Sequence, residues 1–177
     1  CIYCSTKSFW NQQYRLKSNS RLIEEIRYYK EKYNASDFDF EHDSLTANKS
    51  RFVSLCQEIT DANLDITWSC SSRPDYLDHK LVDLMKKAGC RSIYFGFESG
   101  SLKIQKIIKK NIDIKSVQHI IPYIIENGIY ITCSFIIGFP FENDEDLAAT
   151  FDLISWLVGV KANAIQVHLL GMLLGTE

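Results

Sequence analysis

Residues 129–146, with the sequence IYITCSFIIGFPFENDED, carry the pattern that decides the fold. The run 129–137 is apolar almost throughout and rich in β-branched and aromatic side chains, which is typical of a buried strand. Gly138 and Pro140 interrupt this run. Asn143 then precedes three acidic residues, and it is a predicted N-cap because acidic side chains stabilise the positive end of a helix dipole. The stretch therefore predicts a strand, a turn and a helix in succession.

The same alternation continues on both sides of this stretch. Further strands are predicted at residues 38–40, 66–70, 92–97 and 164–170. Between them, apolar side chains at helical spacing predict helices at residues 22–33, 52–59, 81–88 and 117–125, and Pro122 is expected to kink or restart the last of these. Strands that recur about every 30 residues indicate βαβ units, and their apolar character favours a parallel sheet covered by helices.

Two α/β architectures fit this pattern, a doubly wound sheet and a partial or complete (β/α) barrel. No G-x-G-x-x-G motif opens a helix, which argues against a dinucleotide-binding sheet. In both architectures, ligands bind at the carboxyl ends of the strands. The polar residues predicted at those ends are Glu41, His42, Asp43, Ser71, Ser72, Arg73, Glu98 and Ser99. His168 lies in the last strand, on a face that the sequence does not determine.

The composition is that of an ordinary soluble globular protein. The chain has 177 residues, of which 46% are hydrophobic and 24% charged, and this excludes disorder, collagen and coiled coils. A net charge of −2 provides no basic excess for nucleic acid or an anionic membrane surface. The apolar runs are shorter than the roughly 20 residues of a membrane helix. We therefore expect a cytoplasmic protein with no nucleic-acid or membrane partner.

The two ends of the chain are unusual. It opens on Cys1 without a methionine or a leader, and it ends at Glu177 directly after an apolar run. We therefore expect a piece of a longer polypeptide that is incomplete at both ends, with a sixth strand before Cys1.

The six cysteines fall into two groups. Four of them occur singly inside apolar segments, where packing in the core is the simplest role: Cys56, Cys70, Cys90 and Cys133. Cys1 and Cys4 instead form a C-x-x-C motif before a polar stretch. Alone, this motif fits half a zinc site, a thioredoxin-like redox pair or part of an iron–sulfur loop.

The motif Cys1-Ile2-Tyr3-Cys4 resembles the second half of the C-x3-C-x2-C cluster loop of the radical S-adenosylmethionine (SAM) superfamily. Other resemblances follow in the family's order: YR at 14–15, EEI at 24–26, FEHDSLT at 40–46, WSCSSR at 68–73, AGC at 88–90, GFESGS at 96–101, IIGFP at 136–140 with Glu142, and LGT at 174–176. They are most like the branch whose members often carry an upstream cobalamin-binding domain. Two departures stand out: the loop's first cysteine would lie upstream of residue 1, and Phe141 replaces the family's usual Gly.

The resemblance implies a fold and a chemistry. The fold is a partial (β/α) barrel of parallel strands with outer helices, and residues 1–177 form its core domain. In this family three thiolates bind a [4Fe–4S] cluster, and Cys1 and Cys4 match two of them. The open iron binds SAM, and one electron, from a reductant such as flavodoxin or ferredoxin, cleaves SAM to a 5′-deoxyadenosyl radical that attacks the substrate. The resemblance to the branch with an upstream cobalamin-binding domain also suggests cobalamin as a cofactor of the full-length protein.

The resemblance also implies a set of cofactor-binding residues: Asp43, Arg73, Glu98, Ser99, Gly138 and Pro140. Glu98 would accept hydrogen bonds from the ribose hydroxyls, and Arg73 would pair with the SAM carboxylate. Asp43 would line the amino or the substrate side of the site. Gly138 and Pro140 would allow the backbone to approach the adenine.

Two other functions stay open beside the radical SAM enzyme. One is a truncated, non-catalytic barrel without a cluster, and the other is a thioredoxin-like redox module. The sequence names neither substrate nor reaction subtype, so methyl transfer, thiolation and modification of peptides or natural products are all compatible with it.

Overall fold

The computed structural model describes residues 1–4, 16–42 and 45–171 of the chain. Its helices are α1 (Asn19–Tyr33), α2 (Lys49–Asp61), α3 (His79–Lys87), α4 (Leu102–Ile107), α5 (Ile114–Glu126) and α6 (Asp144–Gly159). Its strands are β1 (Asp37–Phe40), β2 (Thr67–Ser72), β3 (Cys90–Glu98), β4 (Tyr130–Ile137) and β5 (Ala164–Leu169). Among the residues singled out from the sequence, Asp43 and the motifs at 14–15 and 174–176 lie outside the described residues.

The described strands form one open parallel sheet in the order β1-β2-β3-β4-β5. Right-handed crossovers between successive parallel neighbours place every connecting helix on the same side of a sheet. A doubly wound sheet requires the strand order to reverse, and this sheet has no reversal among the described strands. The predicted partial (β/α) barrel is therefore confirmed.

The two faces of the sheet differ in character. The face toward the helices is apolar, and Trp68, Phe95 and Cys133 on three successive strands are fully buried there. Phe40 stacks on Trp68 with 5.2 Å between ring centroids, so the edge strand β1 is packed onto this core. The opposite face carries a row of hydroxyl side chains that the strand register aligns: Ser71, Tyr94 and Thr132. This polar face is the inner wall of the partial barrel.

The four single cysteines pack in the core, as predicted. Cys56, Cys70, Cys90 and Cys133 are all buried as free thiols. Burial raises the pKa of the Cys56 and Cys133 thiols to about 12. These side chains are therefore neutral at physiological pH and behave as small apolar groups.

Three details differ from the sequence-based prediction. Strand β3 begins two residues before the predicted start at residue 92 and ends at Glu98. The two-turn helix α4 was not predicted, because six residues are too few for a periodic apolar stripe. Pro122 neither ends nor restarts α5, which runs without interruption from Ile114 to Glu126. No helix among the described residues is long and apolar enough to cross a membrane.

Candidate functional site

The C-x-x-C loop lies at the carboxyl edge of the sheet. The Ile2 backbone N–H donates a 3.1 Å hydrogen bond to the carbonyl of Ile108, just beyond α4. The side chains of Ile2 and Tyr3 pack against a small apolar cluster that includes Ile108 and Phe139. Since α4 follows β3 and Phe139 follows β4, the loop is placed beside the ends of two central strands.

The two cysteines of this loop are not part of the core. Cys1 is exposed, and its sulfur lies 4.0 Å from the carbonyl oxygen of Lys109. Cys4 is half-buried. Both are free thiols at the edge where ligands of this fold bind, so they are available as metal ligands.

Tyr3, which lies between the two cysteines, connects the loop to the end of β3. Its ring packs edge-on against Phe139, with 6.3 Å between centroids. Its side chain lies beside the Glu98 carboxylate. Burial, and to a lesser extent the charge of Glu98, raises the pKa of Tyr3 far above its usual value. Tyr3 is therefore neutral at any working pH.

Glu98 is the central acidic group of the site. It is 7% exposed, and its Oε1 atom lies 2.5 Å from Nζ of Lys110, whose side chain is 11% exposed. Its φ of 68° is left-handed, which is uncommon for a residue with a Cβ and is often found at functional sites. A Cβ added to Gly96 would lie 2.5 Å from Glu98 Oε1 and 2.8 Å from Lys110 Nζ. The ion pair thus folds over Gly96, and a Cβ at this position would require the two side-chain ends to shift.

Arg73, at the end of β2, is engaged with protein groups. Its guanidinium binds the Asp75 carboxylate through two hydrogen bonds of 3.0 and 2.7 Å. It also donates a 2.7 Å hydrogen bond to the carbonyl of Lys110 and lies 5.0 Å from the centroid of the Tyr76 ring. Arg73 therefore holds the backbone that presents Lys110 to Glu98. Its pairing with a SAM carboxylate stays a prediction.

Ser99 follows Glu98 and is fully buried. Its hydroxyl lies 2.9 Å from that of Thr150 on α6 and accepts a 3.1 Å hydrogen bond from the N–H of Ser101. These contacts fix the loop after β3 against α6. Contact between Ser99 and a cofactor stays a prediction.

Gly138 and Pro140 lie on the loop after β4 and are exposed. Gly138 has a φ of 88°, with no heavy atom within 4 Å of an added Cβ, and its N–H donates a 2.7 Å hydrogen bond to Glu142. The open space beside Gly138 is compatible with close approach of a ligand. Phe141, the departure from the family pattern, stacks on Phe139 with 5.7 Å between ring centroids, so it reinforces the apolar side of this loop.

The structure brings Tyr3, Glu98 and Arg73 into one cluster, with Cys4 close enough to influence Tyr3. Lys110 completes this cluster and was not identified from the sequence, where it is one of several lysines after a short apolar run. His42 instead lines a cavity of about 370 Å³ between α1 and β1.

Two cysteine side chains among the described residues are suited to bind the predicted [4Fe–4S] cluster. Within the described residues, no group of three or more His, Cys, Asp or Glu side chains could hold a metal ion. Cys1 and Cys4 supply two thiols from one loop, whereas the other four cysteines are buried in the core. The described part of the chain therefore offers two thiolate ligands.

Comparison with known proteins adds a family and a fold. The family model of the radical SAM superfamily matches residues 1–154. An uncharacterized methyltransferase of Pyrococcus horikoshii is 34% identical over 150 residues, which are 85% of this chain and 33% of that protein. The anaerobic magnesium-protoporphyrin IX monomethyl ester cyclase of Rubrivivax gelatinosus is 26% identical over 86% of this chain and 28% of its own. The chain thus spans about a third of these relatives.

Among solved structures, the radical SAM methyltransferase TsrM of Kitasatospora setae, with cobalamin and a [4Fe–4S] cluster bound, superposes with a TM-score of 0.85. The match covers 96% of this chain and 34% of TsrM at 16% identity, so it establishes a shared fold. Methylornithine synthase superposes with a TM-score of 0.66 over 99% of this chain and 51% of its own, at 15% identity.

Proposed function

The chain belongs to the radical SAM superfamily, and on this premise we propose that residues 1–177 form the core domain of an enzyme that cleaves SAM reductively with a [4Fe–4S] cluster. One observation carries the proposal most directly. The Tyr3 side chain, inside the C-x-x-C loop, lies beside the Glu98 carboxylate at the end of a central strand. The cysteines that would hold a cluster and the carboxylate that would hold a nucleoside are therefore neighbours.

Each group of the site has a role in this proposal. Cys1 and Cys4 provide two thiolates, and a cysteine upstream provides the third. The bound cluster supplies the electron and the open iron at which SAM is cleaved. Glu98 accepts hydrogen bonds from the ribose hydroxyls, and Arg73 pairs with the SAM carboxylate. The loop with Gly138 and Pro140 covers the adenine, and Asp43 lines the amino or the substrate side.

The reaction subtype is proposed from the relatives. Two of the curated relatives are named methyltransferases, and TsrM, the methyltransferase with a similar fold, is described with cobalamin bound. We therefore propose a methyl transfer that uses cobalamin elsewhere in the full-length protein. An electron carrier such as flavodoxin or ferredoxin would supply the electron, and we place the enzyme in the cytoplasm.

Iron content tests the role of the cysteines. The full-length protein, purified without oxygen, should be brown and contain about four irons per cluster. The double change Cys1→Ala and Cys4→Ala should remove the iron, the charge-transfer absorption and the dithionite-dependent formation of 5′-deoxyadenosine. Cys133→Ala, at a buried thiol, is the matched control and should retain all three. Iron that survives the double change would contradict the proposed function.

A further inference from the structure

Lys110 occupies a position unlike that of the lysines around it. Lys106 and Lys109 are exposed, whereas the Lys110 side chain is 11% exposed and its ammonium faces Glu98. Removing a lysine from water costs free energy that an ion pair recovers only with good geometry, so a buried pair is weak support for stability. The burial of Lys110 is therefore better explained by a role in function than by a contribution to stability.

We propose that Lys110 is a positioning residue for SAM binding: it holds the Glu98 carboxylate in the orientation that the ribose of SAM requires. This inference rests on the proposed function, because it takes Glu98 as the acceptor for the nucleoside. Lys110 itself does not touch SAM in this proposal and acts through Glu98.

The geometry leaves Glu98 the capacity to do this. An ionised carboxylate has about four lone-pair sites. The Lys110 ammonium lies on Oε1 at 2.5 Å. The remaining sites can accept the two ribose hydroxyls. Because both partners are buried, neither exchanges freely with water, and the carboxylate keeps one orientation.

The backbone of Lys110 is fixed as firmly as its side chain. Its carbonyl accepts a 2.7 Å hydrogen bond from the Arg73 guanidinium. Its N–H donates a 3.0 Å hydrogen bond to the carbonyl of Gln105. Gly96 leaves the space into which the ion pair folds. Three elements, β2, β3 and α4, thus combine to present one ammonium to one carboxylate.

The experiment is a double-mutant cycle on the reconstituted full-length protein. The dissociation constant for SAM is measured by calorimetry without oxygen, beside iron content and melting temperature. Lys110→Met should raise this constant at least tenfold with unchanged iron. The combined Lys110→Met and Glu98→Gln variant should match Glu98→Gln alone within twofold, because Lys110 acts through Glu98. Lys106→Met, at an exposed lysine of α4 four residues earlier, should bind SAM as the wild type does.

Each other outcome has a defined reading. If Lys110→Met binds SAM normally, or if the two losses multiply in the double variant, the proposal is wrong. If Lys110→Met unfolds because Glu98 is left unpaired, Lys110→Gln, which keeps an N–H donor for Glu98, takes its place: a folded Lys110→Gln that binds SAM more weakly supports the proposal, and one that binds SAM normally contradicts it. A wild-type protein that holds no iron or binds no SAM would overturn the proposed function itself. Normal SAM binding by Glu98→Gln would remove the basis of this inference while leaving the cluster assignment intact.

Discussion

The Ser101 hydroxyl donates a 2.6 Å hydrogen bond to Oδ1 of Asp146 and so ties the start of α4 to the first turn of α6. The same hydroxyl accepts the N–H of Ile104 and thereby caps α4. The Lys103 ammonium lies 2.5 Å from the second oxygen of Asp146. We call these contacts of Ser101 and Lys103 with Asp146 the α4–α6 joint. This joint sets the distance between the two loops that carry Glu98 and Gly138, so the geometry of the candidate site depends on it.

Ser101→Ala should lower the free energy of unfolding by about 1–3 kcal/mol, because it removes a helix cap and leaves a carboxylate oxygen with one donor fewer. Urea titration measures the loss. Ser116→Ala is the control, because Ser116 hydrogen-bonds an N-cap aspartate on the surface, and its cost should stay within about 0.5 kcal/mol. Equal costs for the two changes would show that the joint is not a stabilising feature.

The Asp146 carboxyl should make stability depend on pH. The Lys103 ammonium and then the Ser101 hydroxyl lower its pKa below the usual range. A pKa lowered by folding stabilises the protein above the unfolded-state value of about 3.9, and this contribution is lost as pH falls through the native value. The stability difference between wild type and Asp146→Asn should therefore be full above about pH 5 and shrink below about pH 4. In a Lys103→Met background, the stability difference caused by Asp146→Asn should depend less on pH. A stability difference between wild type and Asp146→Asn that stays constant down to acid pH would contradict the prediction.

Gly100 lies where the loop after β3 touches α6, and a methyl group should not fit there. A Cβ at this position would overlap the carbonyl oxygen of Ala149 and lie 2.9 Å from the Cα atom of Thr150. Gly100→Ala should cost at least about 1–3 kcal/mol. Gly159→Ala adds the same methyl at the end of α6 with no atom within 4 Å, and it should stabilise by up to about 1 kcal/mol. Thermal melts of both variants show directly whether each change raises or lowers the stability. A stabilising Gly100→Ala would show that the loop after β3 shifts to accommodate the methyl group.

The sheet could be predicted from the sequence because its strands are buried apolar runs. The run 129–137 predicted β4 within one residue, and the N-cap at Asn143 predicted the start of α6. In each case, a residue's own neighbours in the chain determine its structure. The capping box that the structure adds at Asn143 and Asp146 is equally local.

The candidate site could be predicted only in part. Glu98 and the two cysteines were identified through motifs, but the Glu98–Lys110 pair depends on how the loop after α4 folds back. The contact between Tyr3 and Glu98 joins residues far apart in sequence, and it exists only because the sheet places two loops side by side. His168 shows the same dependence, since only its pairing with Ile136 assigns it to a face of β5.

Thiol labelling should separate the two groups of cysteines. In the cluster-free full-length protein, Cys1 and Cys4 should react with a thiol reagent within minutes, because they are exposed and half-buried. Cys56 and Cys133 should react only after unfolding, because they are buried and burial raises the pKa of each thiol to about 12. Peptide mapping by mass spectrometry identifies the labelled residues. Fast labelling of Cys133 in the native state would contradict the described core.

Arg73 should stabilise the protein in addition to any contact with a ligand. From the sequence it was expected to pair with the SAM carboxylate, but its guanidinium binds Asp75 twice and supports the carbonyl of Lys110. Arg73→Ala should therefore lower the free energy of unfolding by about 1–3 kcal/mol, since both partners of a largely buried pair are affected. Arg27→Ala, at an exposed guanidinium with one long hydrogen bond to a carbonyl, should cost less than about 0.5 kcal/mol. Denaturant titration of Arg73→Ala, Asp75→Ala and the double variant then measures the coupling between them, and costs that simply add would show that this pair contributes nothing to the fold.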